Sequence, residues 1–93
     1  MNGKEIIRLI HEAPDKGHRL LFDEYKNYVY AIVYNRLRSV ASWEDIEECV
    51  GDVFADVCIG LEHGGSDIRE LSGYISVIAK RKAISDISRE LRL

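Results

Sequence analysis

Apolar residues recur every three to four positions along almost the whole chain, and a single proline, Pro14, interrupts them. That period belongs to helices; half-buried strands alternate every two residues. The strongest run is central: Ile46, Val50, Val53, Val57 and Leu61, with Cys49 and Phe54 beside them. It predicts a helix over about 42–61. "SWED" opens this helix in the manner of a capping box, with Ser42 as N-cap and Asp45 three residues on. Glu44, Asp45, Glu47 and Glu48 set carboxylates against the positive end of the helix dipole. The glycines of "GLEHGGS" then stop it.

Three more helical segments follow from the same period. "GKEIIRLIHEA" carries Ile6, Ile7, Leu9 and Ile10 on a short amphipathic helix that ends at Pro14, and "PDKGH" reads as a turn. Residues 18–39 form the second helix, with Phe22, Tyr25, Val29, Ile32, Val33 and Leu37 as a broad apolar stripe. Tyr25, Tyr28, Tyr30 and Tyr34 suit a core rim, with rings inward and hydroxyls in water. The last helix starts near Ser66 or Asp67, or at Gly73, which weakens its first turn. Leu71, Tyr74, Ile75 and Ile78 begin its stripe, and Ile84, Ile87 and Leu91 continue it. The expected fold is all-α: one domain over residues 1–93, a compact bundle of about four helices. A length of 93 residues, 46% hydrophobic and 31% charged, suits that expectation.

Several function classes find no support. There is no glycine-rich phosphate loop, GxSxG or HExxH, so no enzyme is expected. Cys49 and Cys58 lie nine residues apart, on opposite sides of one helix, and read as small hydrophobes rather than a disulfide or metal pair. No cofactor is called for. No apolar run approaches the roughly 18 residues of a membrane span, and no signal-peptide pattern opens the chain. The expected compartment is the cytoplasm.

The net charge of −3 conceals an asymmetry. Residues 1–42 carry seven Lys/Arg against five Asp/Glu, residues 43–73 one against nine, and residues 74–93 five against two. An acidic middle followed by a basic end suggests two surfaces for two partners. On the central helix, Glu48, Asp52 and Asp56 form a row spaced at four, with small Gly51 and Ala55 beside it. Like charges so spaced repel by a few tenths of a kcal/mol per pair. From spacing alone a soluble face and a docking face are equally open. On the last helix, Lys80, Arg81 and Lys82 interrupt the apolar pattern, and Arg81, Ser85, Ser88 and Arg92 share a face. Spacing alone favours a solvated face there over a nucleic-acid surface.

Three stretches in order resemble a known family. "LFDEYKNYVYAIVYNRL" is similar to an F-x-x-x-Y-x-x-x-V-Y helix, "DIEECVGDVF" to D-A-E-D-L-V-Q-E-V-F, and "YISVIAKRKAISDISRELR" to W-L-y-x-I-A-r-N-x-a-I-D-x-x-R. Over residues 18–92 the chain resembles region 2 of bacterial RNA polymerase sigma factors, the extracytoplasmic-function type especially. The resemblance implies a non-catalytic module for transcription initiation. It implies that the central helix docks on the clamp coiled coil of the polymerase β′ subunit, through Glu48, Cys49, Asp52, Val53 and Asp56. It implies that the last helix and the loop of residues 63–71 recognise and help melt the −10 promoter element. The residues so implied are His63, Ser66, Arg69, Tyr74, Lys80, Arg81, Ser85 and Arg89. An anti-sigma factor is a further implied partner. The alternative is a sigma-like interaction module that binds polymerase or an anti-sigma factor without promoter recognition. The chain departs from the pattern at Gly51 (Gln in the family), Tyr74 (Trp), Arg81 (Asn) and Ser85 (Asp, with Asp86 one place later). The family's helix-turn-helix domain for the −35 element is expected to be absent from this chain. Within the domain, Ile75, Ile78, Ile84 and Ile87 are expected to hold the last helix to the bundle.

Overall fold

The structure is a computed structural model that describes residues 3–64 and 70–91. Among the described residues four helices follow one another: α1 (Gly3–Glu12), α2 (Pro14–Leu37), α3 (Trp43–Gly64) and α4 (Leu71–Leu91). α2 packs on each of the other three, α3 also packs on α4, and α1 touches both α3 and α4 at one end of the bundle. The molecule measures 43 × 21 × 18 Å. The all-α expectation holds.

The α1–α2 connection differs from the expected turn. Only Ala13 separates the helices, at φ −146° and ψ 75°, and Pro14 is already the first residue of α2. Proline fits there because the first helical N–H has no partner to lose and its φ is preset. The residue that ends one helix thus starts the next, and "PDKGH" is α2's first turn and a half. The Gly17 amide donates to the Ala13 carbonyl at 2.9 Å. Gly17 also lets the two helices meet: a Cβ there would lie 2.6 Å from the Ile10 nitrogen.

α3 begins as expected. The Asp45 amide donates to Ser42 Oγ at 3.1 Å, and the Ser42 amide donates to Asp45 Oδ2 at 3.4 Å. The helix runs past Leu61 to Gly64, with Gly60 inside it. The start of α4 expected near Ser66 or Asp67 lies outside the described residues. The helix is formed from Leu71, and the Tyr74 amide donates to the Glu70 carbonyl at 3.2 Å.

The core is a single cluster. α1 contributes Ile6 and Ile10, α2 contributes Leu21, Val29, Val33 and Leu37, and α3 contributes its expected stripe with Cys49 and Phe54. Two expectations fail at its edges. Phe22 is 42% exposed and only leans on Phe54, ring centroids 5.0 Å apart. Ile84 is 59% exposed, and α4 buries Leu71, Ile75, Ala79 and Ala83 instead, with Ile78 and Ile87 partly buried. Small residues at the contact let α4 sit close to its neighbours, which turns Ile84 outward. Among the described residues, no polar or charged side chain is fully buried and no helix is long and apolar enough to cross a membrane.

Candidate functional site

Helical register sorts the acids of α3 by exposure. Glu44, Glu47, Glu48 and Asp52 are exposed and Asp56 is half-buried, so a ridge of carboxylates runs along the outside of the helix. Cys49 and Val53 are both 0% exposed. Both were expected at the polymerase contact from the resemblance; in the structure they lie in the core and back the ridge from inside. A Cβ on Gly51 would meet nothing within 4 Å, so the ridge is open beside Asp52. Cys49 and Cys58 are free thiols. Among the described residues, no group of three His, Cys, Asp or Glu side chains is arranged to hold a metal ion.

The basic residues of α4 do not form the separate surface that the charge asymmetry suggested. Lys82 Nζ lies 3.0 Å from Asp56 Oδ2, which joins the basic helix to the acidic ridge. That hydrogen bond, with the Asp56 charge, raises the Lys82 pKa. Arg89 pairs with Asp86 on its own helix. Burial, followed by a hydrogen bond to Asp86, pushes the Cys49 thiol up to about 12. Asp86 is therefore turned toward α3. Among the described residues, no ion pair engages Lys80 or Arg81, and both are exposed.

Arg81, Lys82 and Ser85 line a hollow of about 340 Å³ together with Asp56 and Ile78. A guanidinium, an ammonium and a hydroxyl in one recess suit phosphate and base contacts. Tyr74 lies one helical turn before Ile78 and is half-buried. Its hydroxyl rests over α3 at Gly60, where a Cβ would come within 1.9 Å of it. The ring thus packs against α3 and is only partly covered. Lys80 falls on the neighbouring face with the exposed Val77 and Ile84, so it and Arg81 point to different sides of α4. His63 is exposed at the end of α3. Ser66 and Arg69 lie outside the described residues. The structure therefore brings Arg81 and Ser85 together, keeps Arg89 one turn beyond Ser85, and leaves Lys80 and His63 apart.

Two features were not foreseen. The Asp56–Lys82 pair is tertiary, and its only sequence signal was the opposite charge of the two rows. The other is an exposed aromatic cluster of Tyr30, Tyr34 and Trp43; the tyrosines looked like rim residues, and nothing local tied them to Trp43.

The three stretches singled out in the sequence map onto α2, α3 and α4 in order. A family model described as Sigma-70 region 2 matches residues 21–92, which spans all three helices. No curated protein and no solved structure matches the chain. A match over most of the chain, in register with the helices that carry the acidic ridge and the basic recess, is sufficient: this chain belongs to the sigma-70 region 2 family.

Proposed function

We propose that this domain binds core RNA polymerase through the acidic ridge of α3 and engages the single-stranded −10 promoter element through α4 and the residues before it. Membership in a family of non-enzymatic transcription-initiation domains supports the reading. The observation that carries it is the adjacency of two unlike surfaces: Glu48, Asp52 and Asp56 on α3, and the Arg81–Ser85 recess on α4. Exposed carboxylates one turn apart repel one another, and a basic partner relieves that repulsion. The clamp coiled coil of the β′ subunit is the proposed basic partner. An anti-sigma factor covering the same ridge would block it. The working compartment of such a module is the cytoplasm.

On DNA, Arg81 and Lys80 contact phosphates, Ser85 and Arg89 contact sugar or base edges, and the partly covered ring of Tyr74 stacks on an unpaired base. His63, exposed at the end of α3, extends the contact, and Ser66 and Arg69, outside the described residues, are proposed to join it.

The test is binding of single-stranded non-template oligonucleotides by the chain in complex with core polymerase, over a salt series. Arg81→Ala lowers the affinity about tenfold, and each lost phosphate contact flattens the salt slope by about 0.7. Affinity indifferent to both salt and Arg81 would instead support an interaction module without promoter recognition. That second reading has one observation in its favour: Lys82 and Arg89 are already paired with carboxylates of this chain.

A further inference from the structure

The aromatic cluster lies where the end of α2 meets the start of α3. The Trp43 ring stacks on Tyr30 with centroids 5.9 Å apart and planes 19° apart, and meets Tyr34 edge-on at 6.4 Å. With Asn27 and Ala31 these rings line a shallow apolar hollow of about 580 Å³. Trp43 is 55% exposed and Tyr34 42% exposed. Folding does not call for this exposure, because Ile46, Cys49 and Val50 already anchor the first turns of α3 in the core. Neighbouring aromatic rings left partly in water beside one hollow make this corner a candidate contact site.

Charge decides what kind of contact. Glu44 follows Trp43 directly, Glu47 lies one turn on, and both are exposed. From there the acidic ridge continues through Glu48 and Asp52. Residues 35–48 hold two bases, Arg36 and Arg38, against four acids, Glu44, Asp45, Glu47 and Glu48. The negative face of an indole beside carboxylates attracts a cation and disfavours the phosphates of nucleic acid. A flat guanidinium fits such a face best, because it stacks on the ring while the carboxylates hold its N–H groups. We infer that Trp43, supported by Tyr30 and Tyr34, receives an arginine or lysine side chain from a basic protein segment docked along the α3 ridge. This inference rests on the reading of that ridge as the polymerase-binding face and extends it by one anchor at the N-terminal end of α3.

The experiment measures fluorescence anisotropy of the full chain, labelled at its amino terminus, against core polymerase. Four proteins are compared: wild type, Trp43→Leu, Trp43→Phe and Asp52→Lys, each shown by circular dichroism to melt cooperatively. Trp43→Leu, which keeps apolar bulk but no π face, weakens binding about tenfold, and Trp43→Phe weakens it about threefold or less. Asp52→Lys weakens binding by at least about tenfold through the ridge itself. Wild-type affinity in Trp43→Leu, with Asp52→Lys impaired, overturns the aromatic anchor and leaves the ridge reading standing. Wild-type affinity in Asp52→Lys overturns the ridge reading. Equal losses in Trp43→Leu and Trp43→Phe overturn the cation contact. Sedimentation of the free proteins completes the test: a wild-type dimer that Trp43→Leu dissociates shows that a second copy of this chain covers the patch, and overturns the proposal.

Discussion

At Gly17 an added methyl carbon would lie 2.6 Å from the Ile10 nitrogen and 2.7 Å from its Cα, whereas at Gly51 it would meet nothing within 4 Å. The same substitution therefore has opposite signs at the two sites. Gly17→Ala pushes backbone against backbone at the α1–α2 crossing and costs about 2–3 kcal/mol or more. Gly51→Ala relieves the entropy cost of an exposed helical glycine and stabilises by about 0.5–1 kcal/mol. Urea denaturation of both variants checks the pair. A second residue-scale prediction concerns alkaline pH. Burial raises the thiol pKa of Cys49, and Cys58 is raised by the same cause. A raised thiol pKa means that the folded chain holds protons that the unfolded chain releases. The stabilisation is present below the ordinary thiol value near 9.0 and is lost as the pH rises toward about 12 at Cys49. Stability measured between pH 8 and 11 falls, and Cys49→Ala flattens the slope while lowering stability throughout. Local chemistry was legible at this scale. The Ser42–Asp45 capping box could be read because both partners sit within four residues. Pro14 was misread because proline both ends and begins helices, and only the single-residue connection at Ala13 decides between the two.

Between elements, the sequence was less informative, because size and charge patterns do not say which helix a side chain meets. The stripe of α4 is an example: isoleucines looked like the anchors, yet Ala79 and Ala83 are fully buried and Ile84 is largely in water. Close helix packing selects small residues that a hydrophobicity pattern undervalues. The Asp56–Lys82 pair is another, since it joins two surfaces that the charge count separated. Both side chains are partly exposed, at 45% and 34%, so the pair adds little to stability. On the proposed reading of the recess, its effect falls on binding. While Asp56 holds Lys82, that ammonium is screened from a phosphate in the adjoining recess. Asp56→Asn releases it, and the free chain then binds single-stranded DNA about two- to fivefold more tightly, with a salt slope steeper by about 0.7. A titration at several salt concentrations checks this. Unchanged affinity and slope would mean that Lys82 does not face the nucleic acid.

Over the whole molecule, the helical period and the order of the three stretches were enough for the fold class and the family. They were enough because each stretch carries its own apolar face, and four such faces close only as a bundle. The site was legible in part. Arg81 and Ser85 share a recess as their spacing suggested. Cys49 and Val53 belong to the core, because a residue next to a contact position in sequence turns about 100° away on a helix. The aromatic corner at Trp43 emerged only once α2 and α3 were packed together. The central claim is that α3 presents an acidic ridge to core polymerase. The most direct test is the affinity of the intact chain for core polymerase, with Asp52→Lys and the charge-conserving Asp52→Glu measured alongside. The account predicts wild-type affinity within about threefold for Asp52→Glu and a loss of at least about tenfold for Asp52→Lys. Equal binding by the wild type and Asp52→Lys would contradict it.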